Sequence, residues 1–357
     1  MKRIPSLDGF RAISIILVVV SHIRDMNEFK NIPIKYNRMF SYGGVGVTVF
    51  FVISGFLITY LLLNEQSNNG NISLKRFYIN RALRILPVFF LYISFILIWR
   101  TFENFEISKY DILHVFTFTV RLDGAMNWYF SHFWSLSIEE QFYIFWPVTL
   151  IFFRKNVKTV LVVLIVYSCI SRIIDHKYPG YRLITLSPFF KYSDSLFIGA
   201  LGAIFLFEFP WLSQLKIFRS YLLQIPALVL ICLFVYMSHG KFPYLTLPFA
   251  NVIISACILY LMLSYITPSN NLVFKFLNSK VMVHIGILSY SMYIWQQFFF
   301  KGAITGIWRA FPYNFIMIYL AALASYYLWE RPFLKLKKSF AVKKTEGFQQ
   351  VHASNER

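Results

Sequence analysis

Long apolar runs, separated by short polar stretches, cover almost the whole of this 357-residue chain. Ten of these runs approach the length of a membrane-crossing helix, which is about 20 residues. The ten predicted spans are 8–26, 43–63, 83–100, 138–153, 157–174, 192–209, 221–238, 247–266, 283–300 and 313–332. The pattern predicts an all-α polytopic membrane protein with about ten transmembrane helices.

The polar stretches between and after these runs complete the predicted organisation. The longest one, residues 101–137, contains an apolar piece at 112–120 that is too short to cross a bilayer, so we predict an interfacial or re-entrant segment there. From residue 339 the chain turns polar, which is typical of a disordered tail. We therefore expect one transmembrane domain, 1–338, followed by a polar cytoplasmic tail, 339–357.

The composition supports the membrane interpretation and changes the meaning of the charge. Hydrophobic residues make up 57% of the chain and charged residues 14%, which is unlike a soluble domain. In a soluble protein the net charge of +19 would suggest binding to nucleic acid. In a membrane protein the bias of Lys and Arg towards cytoplasmic loops explains this charge, so no nucleic-acid partner is predicted. Most of the 35 basic residues fall on the side of the two termini, so both termini are predicted to be cytoplasmic. The three cysteines are isolated in apolar runs and predict no metal site.

The first span carries three ionisable side chains along one line. Arg11 and His22 are eleven residues apart, which is three helical turns plus about 20°, so both lie on one face about 16 Å apart. Asp8 falls about 40° to the other side of this stripe and can pair with Arg11 at a spacing of three. Ionisable groups within a bilayer usually face a bundle interior or a water-filled path. This stripe is the strongest functional candidate.

A basic cluster opens the third span on the predicted cytoplasmic side, and consists of Lys75, Arg76, Arg81 and Arg84. Arg81 and Arg84 are three residues apart, so they project together from one helix face. Paired guanidiniums suit a phosphate-rich anion. Anchoring against lipid headgroups is the alternative.

Two adjacent carboxylates lie at the predicted start of the fourth span. Ser137 and Glu140 fit the SxxE pattern of a capping box. Glu139 is not needed for that cap and points about 100° away from Glu140. A partner across the bundle or the helix dipole would account for Glu139.

Other polar or small residues near the spans have structural and functional interpretations. In the second span, close helix packing or the passage of a thin substrate would explain the small side chains of Gly44, Gly46, Ser54 and Gly55. Asp194 is an N-cap or a pore-lining carboxylate of the sixth span. Glu330 is expected to form a local ion pair at the cytoplasmic surface. No role is assigned to the loop histidines His114, His132, His176 and His239.

Four motifs in combination resemble one known family. They are LDGFRAISIILVVVSH with its Arg-x10-His spacing, GVGVTVFFVISGFLI, the Arg-x2-Arg of NRALRILP, and FWSLSIEEQFY. Weaker matches are SDSLFIGAL, LSYSMYIWQQ and ERPF. From Ile4 to about Phe333 the chain resembles the acyltransferase-3 family of bacterial membrane acyltransferases, in a stand-alone form without an extracytoplasmic hydrolase-like domain.

The resemblance implies an acyl donor, usually acetyl-CoA, that arrives from the cytoplasm, and transfer to a carbohydrate hydroxyl on the outer side of the bacterial inner membrane. It implies that His22 is the essential histidine, that Arg11 is its partner and that Glu139 is the glutamate of the SLxxE motif. Arg81 and Arg84 match the pair linked to donor binding, with Arg76 and Lys75 beside them. Structural or pore-lining roles are expected for Asp8, Ser54, Gly55, Ser135 and Asp194.

The sequence leaves open the role of Gln296, the chemistry of His22, the choice between an enzyme and a transporter, and the acceptor. Gln296 stands where the family commonly has a histidine, and a glutamine cannot take a proton at neutral pH. His22 would act as a general base on the acceptor hydroxyl or as a transient acyl carrier. The alternative function is a transporter or flippase of a lipid-linked sugar, which also uses a line of polar groups within the bilayer. The acceptor itself, whether O-antigen, capsule, exopolysaccharide, peptidoglycan or a macrolide-like molecule, is not determined by the sequence.

Overall fold

The computed structural model describes residues 4–25, 42–119, 126–178, 180, 187–238, 243–300 and 307–336, and these contain helices and no strand. We number the longer helices α1 Leu7–Ser21, α2 Gly43–Asn69, α3 Leu74–Glu103, α4 Lys109–Thr117, α5 Phe133–Phe152, α6 Val157–Lys177, α7 Ser187–Glu208, α8 Tyr221–Met237, α9 Pro243–Ser264, α10 Lys280–Phe300 and α11 Tyr313–Ala324. Shorter helical pieces are His22–Asp25, Trp128–Ser131, Pro210–Gln214, Lys216–Arg219, Leu272–Leu277 and Ile307–Arg309. After α11 the chain continues through a π-helix, Ser325–Glu330, and a last helical piece, Arg331–Leu336.

Each of the ten predicted spans overlaps one of the longer helices, and the all-α fold is confirmed for the described residues. Within the described residues, five helices are long and apolar enough to cross a membrane: α2, α3, α6, and the greater parts of α7 and α9. The count of ten crossings stays a prediction. The apolar piece at 112–120 lies largely in α4, and the predicted tail at 339–357 lies outside the described residues.

Helix α1 packs closely between α2 and α10 because glycines stand at both crossings. A Cβ added to Gly46 would lie 2.6 Å from the carbonyl oxygen of Ser14. The hydroxyl of Ser14 in turn donates a hydrogen bond to the carbonyl of Gly46. A Cβ on Gly286 would collide with the carbonyl of Asp8. The backbones therefore touch, which is the geometry that small residues allow between membrane helices.

Helix α2 is packed equally closely against α7 on another face. A Cβ on Gly55 would collide with the carbonyl of Leu196, and one on Gly199 with the carbonyl of Val52. The close-packing interpretation is thus confirmed for Gly46 and Gly55. Gly44 has open space around it, because nothing lies within 4 Å of an added Cβ.

These contacts define two ends of the bundle. Helices α1 and α10 run in the same direction, since Asp8 lies beside Gly286 and His22 lies beside Phe300. Helix α2 begins at the end where α1 finishes, because Gly43 abuts Ser21. We call this end the His22 end.

Candidate active site

A narrow cavity of about 90 Å³ lies among α1, α2, α3, α5 and α10. We call it the charged cavity. Its polar and charged lining residues are Arg11, Ser54, Arg81, Arg84, Ser135, Glu139, Tyr143, Ser289, Tyr290 and Tyr293. Six residues that the sequence singled out on four separate helices are therefore brought into one site: Arg11, Ser54, Arg81, Arg84, Ser135 and Glu139.

Glu139 is held by a hydroxyl pair within this cavity. The Ser54 hydroxyl donates to Glu139 Oε1 at 2.8 Å, and the Tyr143 hydroxyl donates to Ser54 Oγ at 3.0 Å. The Arg81 guanidinium lies 4.5 Å from the centre of the Tyr143 ring. Sequence reasoning missed Tyr143, although its position four residues after Glu139 places it on the same helix face.

Arg11 forms the predicted pair with Asp8, whose Oδ1 lies 2.8 Å from Arg11 Nη1. Arg11 also interacts electrostatically with Arg81 and Arg84, and Glu139 interacts with Arg11 and Arg81. Among the described residues that line the cavity there are therefore three guanidiniums and one carboxylate, that of Glu139, while Asp8 offsets the charge of Arg11. A group of positive charges in a confined, partly desolvated space attracts an anion strongly, because low dielectric strengthens the interaction.

The other two basic residues of the predicted cluster lie elsewhere. Arg76 Nη2 is 2.6 Å from Glu65 Oε1, and Lys75 is exposed in the first turn of α3. Neither residue lines the charged cavity. Their predicted part in donor binding stays a prediction, and the structure separates them from Arg81 and Arg84.

His22 occupies a different neighbourhood, at the end of α1. The α-helix ends at Ser21 and His22 opens a 3₁₀ turn, so α1 ends five residues before the predicted span 8–26 does. The imidazole lies between Phe300, with ring centres 5.5 Å apart, and Trp128, with ring centres 6.2 Å apart. His22 does not line the charged cavity, so the stripe of Asp8, Arg11 and His22 divides between two sites.

His132 lies close enough to His22 to interact with it electrostatically. The sequence assigns no role to His132 and places it among the loop histidines. In the structure, however, its side chain is only 4% exposed. Within the described residues neither ring nitrogen of His132 has a partner with hydrogen-bond geometry. We call His22, His132, Trp128 and Phe300 the imidazole pocket. No local spacing signals it as a whole, because its residues come from three distant segments: His22, Trp128 with His132, and Phe300.

Tyr293 and Ser135 connect the imidazole pocket with the charged cavity. The Tyr293 hydroxyl donates to the backbone carbonyl of His132 at 2.7 Å and lies 2.6 Å from Ser135 Oγ. Both Tyr293 and Ser135 line the charged cavity. A polar path of two hydroxyls therefore links the two neighbourhoods at their shared border.

The capping-box prediction for Ser137 and Glu140 is wrong. Helix α5 begins at Phe133, four residues before Ser137, so Ser137 lies in the second turn where no free N-terminal amide is within reach. Ser137 is 1% exposed and its hydroxyl has no partner among the described residues; the same holds for Glu140 Oε1. The aromatic residues before Ser137 extend the helix because they pack into the core.

Two further carboxylates also differ from their expected settings. Asp194 is not an N-cap, because α7 begins seven residues earlier, at Ser187. The Asp194 side chain is fully buried, and its Oδ2 lies 2.8 Å from Arg172 Nη1. It does not line the charged cavity. Glu330 is 1% exposed and accepts a hydrogen bond from Ser291 at 3.0 Å, so it lies within the bundle and not at the surface.

Gln296, where the family commonly has a histidine, is fully buried in α10. Neither atom of its amide has a hydrogen-bond partner among the described residues. Over the same residues, no three His, Cys, Asp or Glu side chains come together as ligands for a metal ion.

Comparison with known proteins shows the family of the chain. The sequence matches the family described as "Acyltransferase domain" over residues 4–330, nearly the whole chain, and the chain belongs to this family. All the residues of the charged cavity and the imidazole pocket fall within the match. No solved structure matches the chain.

Curated relatives share part of the sequence. Over 178 residues the chain is 35% identical to "Peptidoglycan O-acetyltransferase OatA" of Listeria monocytogenes. This match covers 44% of this chain and 26% of that protein. It is 34% identical over 174 residues to "Putative peptidoglycan O-acetyltransferase YrhL" of Bacillus subtilis. This second match covers 42% of this chain and 24% of that protein. The matched region is thus about a quarter of the length of each of these relatives.

Proposed function

We propose that this protein is a membrane O-acetyltransferase. It moves an acetyl group from cytoplasmic acetyl-CoA to a hydroxyl of a cell-surface glycan on the outer side of the bacterial inner membrane. In this proposal the chain crosses the membrane ten times with both termini in the cytoplasm, and the His22 end faces outwards. The printed names of the relatives support a glycan, and peptidoglycan in particular, as the acceptor.

The observation that carries the proposal is the clustering of Arg11, Arg81 and Arg84 around Glu139 in one cavity that borders the imidazole pocket. Acetyl-CoA carries several phosphates, and guanidiniums bind phosphate through charge-assisted hydrogen bonds. Arg81 and Arg84 hold the phosphates of the donor, and Arg11 orients it. Glu139 balances the guanidinium charge and fixes Ser54, and with it the Tyr143 hydroxyl that donates to Ser54.

His22 acts as the general base in this mechanism. It removes the proton from the acceptor hydroxyl as that oxygen attacks the thioester carbonyl carbon. A carbon–oxygen bond forms, the carbon–sulfur bond breaks, and the proton passes from His22 to the sulfur of the leaving CoA. His132, beside His22, restricts the orientation of the imidazole. The acyl-carrier route differs in one intermediate, an acetyl group on the His22 ring.

Sided proteoliposomes test the proposal. Acetyl-CoA labelled in the acetyl group is placed on one side of the membrane and soluble peptidoglycan glycan strands on the other. The proposal predicts labelled ester on the strands and an equal amount of free CoA, both dependent on His22. Movement of a lipid-linked sugar without thioester consumption would instead establish the flippase alternative.

A further inference from the structure

A second cavity, of about 500 Å³, lies at the His22 end among α2, α5, α6, α7, α8 and α9. Its volume lies within the range of small-molecule sites. It shares Val47 and Phe51 with the charged cavity, so these two side chains form a common wall. We call it the outer cavity. Nothing in the mechanism above uses it.

A buried cation lies on one side of the outer cavity. Arg172 is only 6% exposed and is fixed by Asp194 Oδ2 at 2.8 Å and by the carbonyls of Lys191 and Pro248 at 2.9 and 2.7 Å. Its Nε has no hydrogen-bond partner among the described residues. An oriented guanidinium with a spare donor is costly within a bundle unless something else uses it.

Further hydrogen-bonding groups line the same cavity. Asn251 donates through Nδ2 to Ser195 Oγ at 2.9 Å and to Asp194, and its Oδ1 lies 3.4 Å from Thr48 Oγ1. Asn251, Ser195 and Thr48 all line the cavity. Hydroxyl and amide groups that are already oriented by one another can bind ligand hydroxyls with little loss of side-chain entropy.

Aromatic side chains supply an apolar wall. The rings of Trp134 and Tyr192 have centres 4.7 Å apart, and Phe51 contacts Trp134 edge to face at 6.2 Å. All three line the cavity. An apolar wall combined with a few fixed polar groups suits a molecule that has both an apolar ring face and many hydroxyls.

We propose that the outer cavity binds the sugar ring of the acceptor glycan. This inference rests on the proposed function, which supplies a carbohydrate as the second substrate. A lipid chain would fill the apolar part of the cavity but has no group that could accept a hydrogen bond from Arg172 Nε. Since Phe51 separates the two cavities, a sugar in the outer cavity lies one side chain away from the donor.

A filling substitution tests this site. Ala250 lines the outer cavity, so Ala250→Phe should raise the KM for glycan strands at least tenfold while the KM for acetyl-CoA changes less than twofold. Slow hydrolysis of acetyl-CoA without acceptor should be unchanged. Ala256→Phe is the matched control, because Ala256 is exposed on the same helix and does not line the cavity. An unchanged KM for the strands in a folded Ala250→Phe protein would overturn the proposal.

A labelling measurement reads binding without transfer. Ser238 is exposed at the end of α8 and lines the outer cavity. In Ser238→Cys, glycan strands should slow maleimide labelling at position 238 at least threefold. They should leave the labelling of Tyr110→Cys unaffected, because Tyr110 is exposed on α4 and lines neither cavity. Protection without any transfer would reject the proposed enzyme but keep the sugar site. Equal labelling with and without strands, or protection by phospholipid alone, would reject the sugar site.

Discussion

The charged cavity and the imidazole pocket are adjacent but have opposite chemical characters. Three guanidiniums and Glu139 share the cavity, whereas His22 lies between the rings of Trp128 and Phe300. Fixed positive charge holds an anion but cannot exchange a proton at neutral pH, since arginine stays protonated. An imidazole can take and release a proton but binds phosphate weakly. In the proposed mechanism, donor binding and proton transfer therefore belong to different side chains.

The largest expected effect comes from removing the base. His22→Ala should lower the turnover number by about 10²–10⁴-fold, the usual contribution of general acid–base catalysis. The variant should keep its melting temperature, because the ring is only partly buried at the end of α1. His284→Ala is the control: this histidine pairs with Tyr319 at 3.2 Å, away from both neighbourhoods. Acetyl transfer near the wild-type rate in His22→Ala would remove His22 from the mechanism.

Donor binding should separate the four basic residues into two pairs. Arg81→Ala and Arg84→Ala should each weaken acetyl-CoA binding about 10- to 100-fold, since a hydrogen bond to a charged group contributes about 1.5–3 kcal/mol. Lys75→Ala and Arg76→Ala should change the Kd less than threefold, because neither residue lines the charged cavity. Calorimetric titration of all four variants checks this. Equal losses across the four would instead favour a diffuse basic surface as the donor site.

The two neighbouring glutamates should behave differently. Glu139→Gln keeps the volume and removes the charge that faces Ser54 and Arg81, so turnover should fall about tenfold or more. Glu140→Gln should leave turnover within about threefold, because Glu140 does not line the charged cavity. Turnover and melting temperature are measured for both. A turnover loss that follows Glu140 would exchange the two assignments.

The glycines of α2 offer a test of packing that is independent of catalysis. Gly55→Ala should lower the free energy of unfolding by about 1–3 kcal/mol, since the new methyl group meets the carbonyl of Leu196. Gly44→Ala should leave stability unchanged or raise it, because an added Cβ meets nothing within 4 Å. Thermal unfolding in detergent compares the pair. Equal melting temperatures would show that α2 and α7 separate easily.

Much of the charged cavity could be predicted from the sequence because its groups are spaced by one helical turn. Asp8 with Arg11 and Arg81 with Arg84 are three residues apart, and such pairs face each other on any helix. The all-α fold likewise follows from the apolar runs. The start of α5 could not be predicted from Ser137, because aromatic packing before it outweighed the capping signal.

The imidazole pocket shows what local patterns leave out. Its four residues lie between positions 22 and 300, so only the tertiary fold brings them together. His132 and Tyr293 became candidates through burial and contact, which no sequence spacing reveals. The same is true of Arg172 and Asn251 in the outer cavity, where α6, α7 and α9 meet.

The most direct test of this division of labour measures donor affinity and turnover on the same preparations of Arg84→Ala and His22→Ala. We expect the Arg84→Ala protein to show a Kd for acetyl-CoA that is raised about 10-fold or more, while its turnover at saturating donor stays within about threefold. We expect the His22→Ala protein to keep this Kd unchanged and to lose nearly all turnover. If His22→Ala weakened donor binding as much as Arg84→Ala does, the two neighbourhoods would be one site and the account would be wrong.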